Sequence, residues 1–87
     1  MELKWTSMAL SDLEHLYVAN KSAAARAIHL LTQSPTILLS NPRTEEQLFQ
    51  FEPYEVRRIL PGEYEVRYEI LDSIVYVLRL WNTRENR

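Results

Sequence analysis

Leu3-Lys4-Trp5 alternates apolar and polar residues as a short strand does, and Thr6-Ser7 follows with hydroxyls suited to capping a helix. Leu10, Leu13 and Tyr17, with Leu16 beside them, recur at three- and four-residue spacing and predict a first helix over residues 8–19. Asn20-Lys21-Ser22 is a polar break with two good capping residues. Residues 23–33 then resume a helical pattern, with Ala24, Ala27, Ile28 and Leu31 on one stripe, so the two helices should form a hairpin. Pro35, with Ser34 as a cap, predicts a further helical piece through Leu39 that ends at Ser40-Asn41-Pro42. From Arg43 to Pro53 no period holds, and Leu48, Phe49 and Phe51 are expected to anchor a loop or irregular strand against the core.

The remaining pattern is that of strands. Residues 55–60 form one candidate, Pro61-Gly62 a turn, and residues 63–70 a second strand with Tyr64, Val66, Tyr68 and Ile70 on one face. Glu63, Glu65, Arg67 and Glu69 take the other face, which should meet solvent or a ligand. Asp72-Ser73 suits a tight hairpin turn into a last strand over residues 74–81. There Ile74, Tyr76, Leu78 and Leu80 alternate against Val75, Val77 and Trp81, so the strand is apolar on both faces and belongs inside a sheet. The order predicts an α+β domain: an N-terminal strand, then an α-helical hairpin packed on a small twisted, mostly antiparallel β-sheet.

Composition narrows the class. The 87 residues suit one domain with a modest core, marginal enough for a bound partner to matter. Cysteine is absent, which excludes disulfides and thiolate metal sites, and His15 and His29 lack companion ligands at suitable spacing. No metal or cofactor is expected. No apolar run approaches the roughly 18–20 residues of a membrane span, and the first ten residues do not read as a signal peptide, so a cytoplasmic protein is expected. Ten Lys and Arg against twelve Asp and Glu give a net charge of −2, which argues against a broad nucleic-acid footprint.

Several phrases, in order along the chain, carry a family resemblance. They are Trp5-Thr6-Ser7 with Ala9 and Asp12-Leu13, then Ala24-Ala25-Arg26-Ala27, then Asn41-Pro42-Arg43. Val56-Arg57-Arg58-Ile59, Tyr64-Glu65-Val66-Arg67-Tyr68, Tyr76-Val77-Leu78-Arg79 and Arg84 complete the set. The chain resembles the ParE/RelE superfamily of plasmid-stabilisation toxins over its whole length. The resemblance implies a βααβββ domain and a hetero-oligomer with an antitoxin that buries the toxin's active surface. RelE-like members cleave mRNA on the ribosome; ParE-like members trap DNA gyrase without established hydrolysis.

Cleavage requires cations that orient the scissile phosphate and groups that move protons. Arg57, Arg58 and Arg84 fall on RelE-like cationic positions and define the ribonuclease alternative. Glu65, however, replaces an arginine after the turn tyrosine, Asn82 stands where many relatives carry histidine, and no tyrosine follows within residues 85–87. These departures favour the ParE-like reading, with gyrase as the target, no assigned catalytic residue and no DNA binding by the toxin alone. Arg57, Arg58, Trp81, Asn82 and Arg84 are then the candidate target-binding residues, and Leu13, Tyr17, Arg67 and Arg79 the candidate antitoxin-binding ones. A degenerate toxin that only binds an antitoxin is the further alternative. Several candidates also have a plain structural reading: Arg57 and Arg58 as cross-strand partners of Glu63, Glu65 or Glu69, and Trp5 and Trp81 as core or core-rim anchors.

Overall fold

The structure, a computed structural model, describes residues 2–33, 42–60 and 62–84. In chain order these form β1 (Glu2–Trp5), α1 (Ser7–Ala19), α2 (Lys21–Gln33) and β2 (Glu46–Gln47). A single 3-10 turn at Phe49–Phe51 precedes β3 (Glu55–Ile59), β4 (Tyr64–Leu71) and β5 (Ile74–Asn82). The five strands make one sheet in the order β1-β5-β4-β3-β2. β1 runs parallel to β5, and every other pairing is antiparallel. The α+β expectation holds, with the two-residue β2 added inside the stretch that has no sequence period. The helical piece expected through Leu39 and the Pro61 half of the predicted turn lie outside the described residues.

Local chemistry sets the helix ends. The Thr6 hydroxyl oxygen accepts from the Ala9 N–H at 3.2 Å, capping α1, and its proton is shared between the Val77 and Leu78 carbonyls at 2.9 and 3.1 Å. The cap thus ties the start of α1 to β5. Asn20 closes α1 through its own N–H on the Leu16 carbonyl at 2.8 Å, and opens α2 by accepting the Ala23 N–H at 3.1 Å. One residue therefore does the work of the three-residue break expected at 20–22, and α2 starts at Lys21.

The core lies between the hairpin and one sheet face. Ala9, Leu16, Ala23 and Ala24 meet Ile59, Tyr64, Val66, Tyr68, Ile70, Val75, Val77 and Leu80, with Leu3, Trp5 and Leu13 packed at its margin. Two expectations need correction. In α1 the sheet-facing stripe is Ala9, Asp12 and Leu16, whereas Leu10 and Tyr17 of the expected stripe are exposed. A small residue at Ala9 lets the helix lie close to the sheet, and the bulkier stripe turns outward.

In β5, Arg67 of β4 pairs with Arg79 while Tyr68 pairs with Val77, so Leu78 is an extra residue forming a bulge. The alternation slips by one there. Leu80 consequently joins Val75 and Val77 in the core instead of sharing a face with Ile74 and Tyr76.

The β4–β5 hairpin turns at Asp72, whose φ of 57° is left-handed, a conformation aspartate tolerates better than most residues. Leu48 anchors the stretch between Arg43 and Pro53, as expected, but Phe49 and Phe51 are exposed.

Candidate functional site

Strand register places the chemistry. Residues directly opposite one another share a face, so Glu46, Arg58, Arg67 and Arg79 line up across β2 to β5 on the side away from the core. Glu65 and Trp81 form a second rung on that outer face, and Val56, Glu69 and Tyr76 a third.

Glu65 is the hinge of the outer face. One oxygen lies 3.3 Å from Arg58 Nη1 and the other 3.2 Å from Arg67 Nε. The residue is only 7% exposed, so at this position the β4 face expected to meet solvent or a ligand is covered by the chain's own side chains. Arg58 is also gripped by Glu46. That hydrogen bond, and the charges of Glu46 and Glu65, raise the Arg58 pKa above its ordinary value despite desolvation. The Arg67 guanidinium lies 4.8 Å from the Trp81 ring centroid and 5.7 Å from that of Phe51, within the range of cation–π attraction. Trp81 is therefore a half-buried partner of Arg67 on the outer face of the sheet, outside the main core cluster.

Arg57, next to Arg58 in sequence, points the opposite way and lies in register with buried Tyr68. Its guanidinium is held by Glu55 at 3.0 Å, the Glu45 carbonyl at 2.6 Å and Gln47 at 3.4 Å. Partial burial works to raise the Glu55 pKa, but hydrogen bonds and charges from Arg43 and Arg57 together hold it below the ordinary carboxylate value. Tyr68 donates to the Pro42 carbonyl at 2.6 Å. Burial, helped by the Glu45 and Glu55 charges, pushes its phenol well above the usual range, so it serves as a neutral donor.

Arg79 grips Asp12 with two hydrogen bonds, 2.7 and 3.0 Å, and the same carboxylate accepts the buried Leu80 N–H at 3.0 Å. The Asp12 hydrogen bond and charge raise the Arg79 pKa despite desolvation. Arg84 pairs with Glu63 at 2.6 Å, and the Asn82 side-chain oxygen accepts the Arg84 N–H at 2.8 Å.

The five candidate target-binding residues therefore do not form one cluster. Arg58 and Trp81 share the outer face, Arg57 is on the other side of the sheet, and Asn82 and Arg84 lie at the end of β5 beside Glu63. The candidate antitoxin residues divide as well. Arg67 and Arg79 belong to the sheet, while Leu13 and Tyr17 line an open groove of about 250 Å³ with Leu10, Glu14, Ala24 and Ile28. That groove runs along the hairpin, and its lining is almost wholly apolar. Lys21 lies 5.9 Å from the Tyr17 ring at its edge.

Sequence reasoning missed Asp12, Phe51 and the burial of Glu65 as parts of these arrangements. Glu65 and Arg67, two apart in a strand, carried a legible signal of sharing a face. Phe51 carried none. Among the described residues no group of three or more His, Cys, Asp or Glu could hold a metal ion, and no helix is long and apolar enough to cross a membrane.

The described residues thus form a helical hairpin on a mixed five-stranded sheet, with an apolar groove on one side and an ion-paired face on the other. The sequence profile of the ParE toxin of type II toxin–antitoxin systems, parDE, matches residues 3–87, and the chain belongs to that family. A solved structure described as the chromosomal ParDE TA system from P. aeruginosa has the same fold. It superposes with a TM-score of 0.65 at 20% identity, over 94% of this chain and 95% of that one. None of the curated proteins compared with the chain matches it.

Proposed function

We propose that this ParE-family toxin arrests growth by protein–protein contact with DNA gyrase in the cytoplasm, and that a cognate antitoxin neutralises it. The family supplies the toxin–antitoxin frame. One observation favours contact over RNA cleavage: Arg57, Arg58 and Arg84, the cations a cleavage site would use, are each engaged by a carboxylate of the chain itself. A phosphate brought to any of them would have to displace an internal partner, and at Arg58 it would also meet the negative charge of Glu65. No catalytic residue is assigned. The hairpin groove lined by Leu13 and Tyr17 is the proposed antitoxin seat, and the outer sheet face with Arg58 and Trp81 the proposed target surface.

Purified protein compared in gyrase supercoiling and in ribosome-programmed mRNA cleavage tests the target. Inhibited supercoiling with intact mRNA is expected. Codon-dependent cleavage without gyrase inhibition would reverse the assignment to the RelE-like alternative. Unimpaired growth when the chain is expressed without an antitoxin would leave only an antitoxin-binding module.

A further inference from the structure

The outer face holds the parts of a single-strand nucleic-acid platform, yet its charge is cancelled from within. Arg58 and Arg67 point to one spot, their side chains 35% and 32% exposed, and both can reach an external anion. Trp81 and Phe51 flank Arg67 with aromatic faces. Arginines interleaved with aromatic rings are what unpaired bases and phosphates bind. The spot between the arginines is filled by Glu65, one oxygen on each guanidinium, and its side chain is only 10% exposed.

We propose that Glu65 is a built-in counter-anion that excludes single-stranded RNA from the β4–β5 face. The carboxylate occupies the place a phosphodiester would take, and it is covalently fixed there, so an external phosphate competes against an effectively permanent occupant. Glu46 on Arg58 and Glu69 on the neighbouring rung add negative charge around the site. Glu46 is 56% exposed, and a pair of that kind yields far more readily than the one formed by Glu65. Glu65 is thus the residue that keeps an external phosphate from this surface. The inference deepens the proposed function and rests on it only for the biological consequence; a failed gyrase assay would remove the target without touching the RNA measurement.

The test is fluorescence anisotropy of a labelled eight-nucleotide oligouridylate with the full chain, at several salt concentrations, beside circular dichroism of each variant. Wild type should show no saturable binding. Glu65→Gln, which keeps shape and removes charge, should bind at least about tenfold more tightly than wild type, because two arginines gain a phosphate partner. Log affinity should fall against log salt with a slope of about 1.4, the value for two cations on a single strand. Glu46→Gln added to Glu65→Gln should bind more tightly still, and Arg67→Ala added to Glu65→Gln should abolish binding. Glu65→Thr, suited to a strand, serves as the second unmasked variant should the glutamine variant fold poorly. Saturable RNA binding by wild type would overturn the proposal, as would folded Glu65 variants that bind no better than wild type.

Discussion

Asp12 is a buried acid in the sheet-facing stripe of α1, where an apolar residue would be expected from period alone. It stays because β1 stops pairing with β5 at Val77, and beyond that point β5 presents a backbone donor that none of the described strands takes up. Asp12 accepts that donor, the Leu80 N–H, and neutralises its own charge on Arg79. Asp12→Ala should therefore cost about 2–3 kcal/mol, leaving a buried N–H and a cation unpartnered. For a domain of this size the melting temperature should fall by roughly 10–20 °C. Arg79→Ala takes the cation from a carboxylate whose side chain is only 6% exposed, so it should cost at least as much, and thermal melts of the two variants check the order.

Glu55 gives a second expectation at this scale. Its folded pKa is held below the unfolded value, so its contribution to stability is present above the ordinary carboxylate range and is lost as pH falls through the lowered folded value. Urea unfolding from pH 7 down to pH 3 should show a decline in acid that is shallower in Glu55→Gln.

At the scale of elements, two short connections carry much of the geometry. Thr6→Ala removes the cap of α1 and the hydroxyl shared by the Val77 and Leu78 carbonyls, and should cost roughly 1–2 kcal/mol. Asp72 holds a left-handed φ in the β4–β5 turn. Asp72→Gly should stay within about 1 kcal/mol of wild type, while Asp72→Val should lose about 1–2 kcal/mol, both read from denaturant midpoints.

Most elements were legible in the sequence because periodicity and capping residues act locally. The strict alternation of β4, the Thr6 cap and the Asp72-Ser73 turn needed no knowledge of their neighbours. What was not legible depends on contacts distant in sequence. The outward turn of Leu10 and Tyr17 follows from Ala9 setting the helix against the sheet, and the slip at Leu78 follows from register with β4. The candidate site divides the same way: Arg58 and Trp81 do share a surface, but the burial of Glu65 and the approach of Phe51 appear only once β2 to β5 are assembled.

Across the whole molecule the two proposed partner surfaces lie on different layers. The groove of Leu10, Leu13, Tyr17 and Ile28 is built by the helices, and the Glu65–Arg67–Trp81 face by the far side of the sheet. Exposed groove residues can therefore be altered without disturbing the core. Tyr17→Ala and Leu10→Glu, at positions 51% and 53% exposed, should change the melting temperature by only a few degrees. The pair together should weaken antitoxin binding by at least about tenfold, as loss of an aromatic anchor in an apolar seat does. Isothermal titration with the antitoxin measures this, and retention of full affinity would remove the groove from the antitoxin site.

The parallel pairing of β1 with β5 joins Glu2 to Ile74 and Trp5 to Val77. A ribosome making this chain releases β1 early and β5 late, so the first strand waits without its only described strand neighbour while nearly all the rest is synthesised. During that wait Asp12 lacks Arg79 and Leu80, Thr6 lacks its carbonyls, and the hairpin has no sheet to settle on. Folding dominated by so distant a contact is slow and comes after most of the chain exists. The fold is assembled only when β5 arrives, so the groove of the hairpin and the outer face of the sheet take shape together, at the end of synthesis.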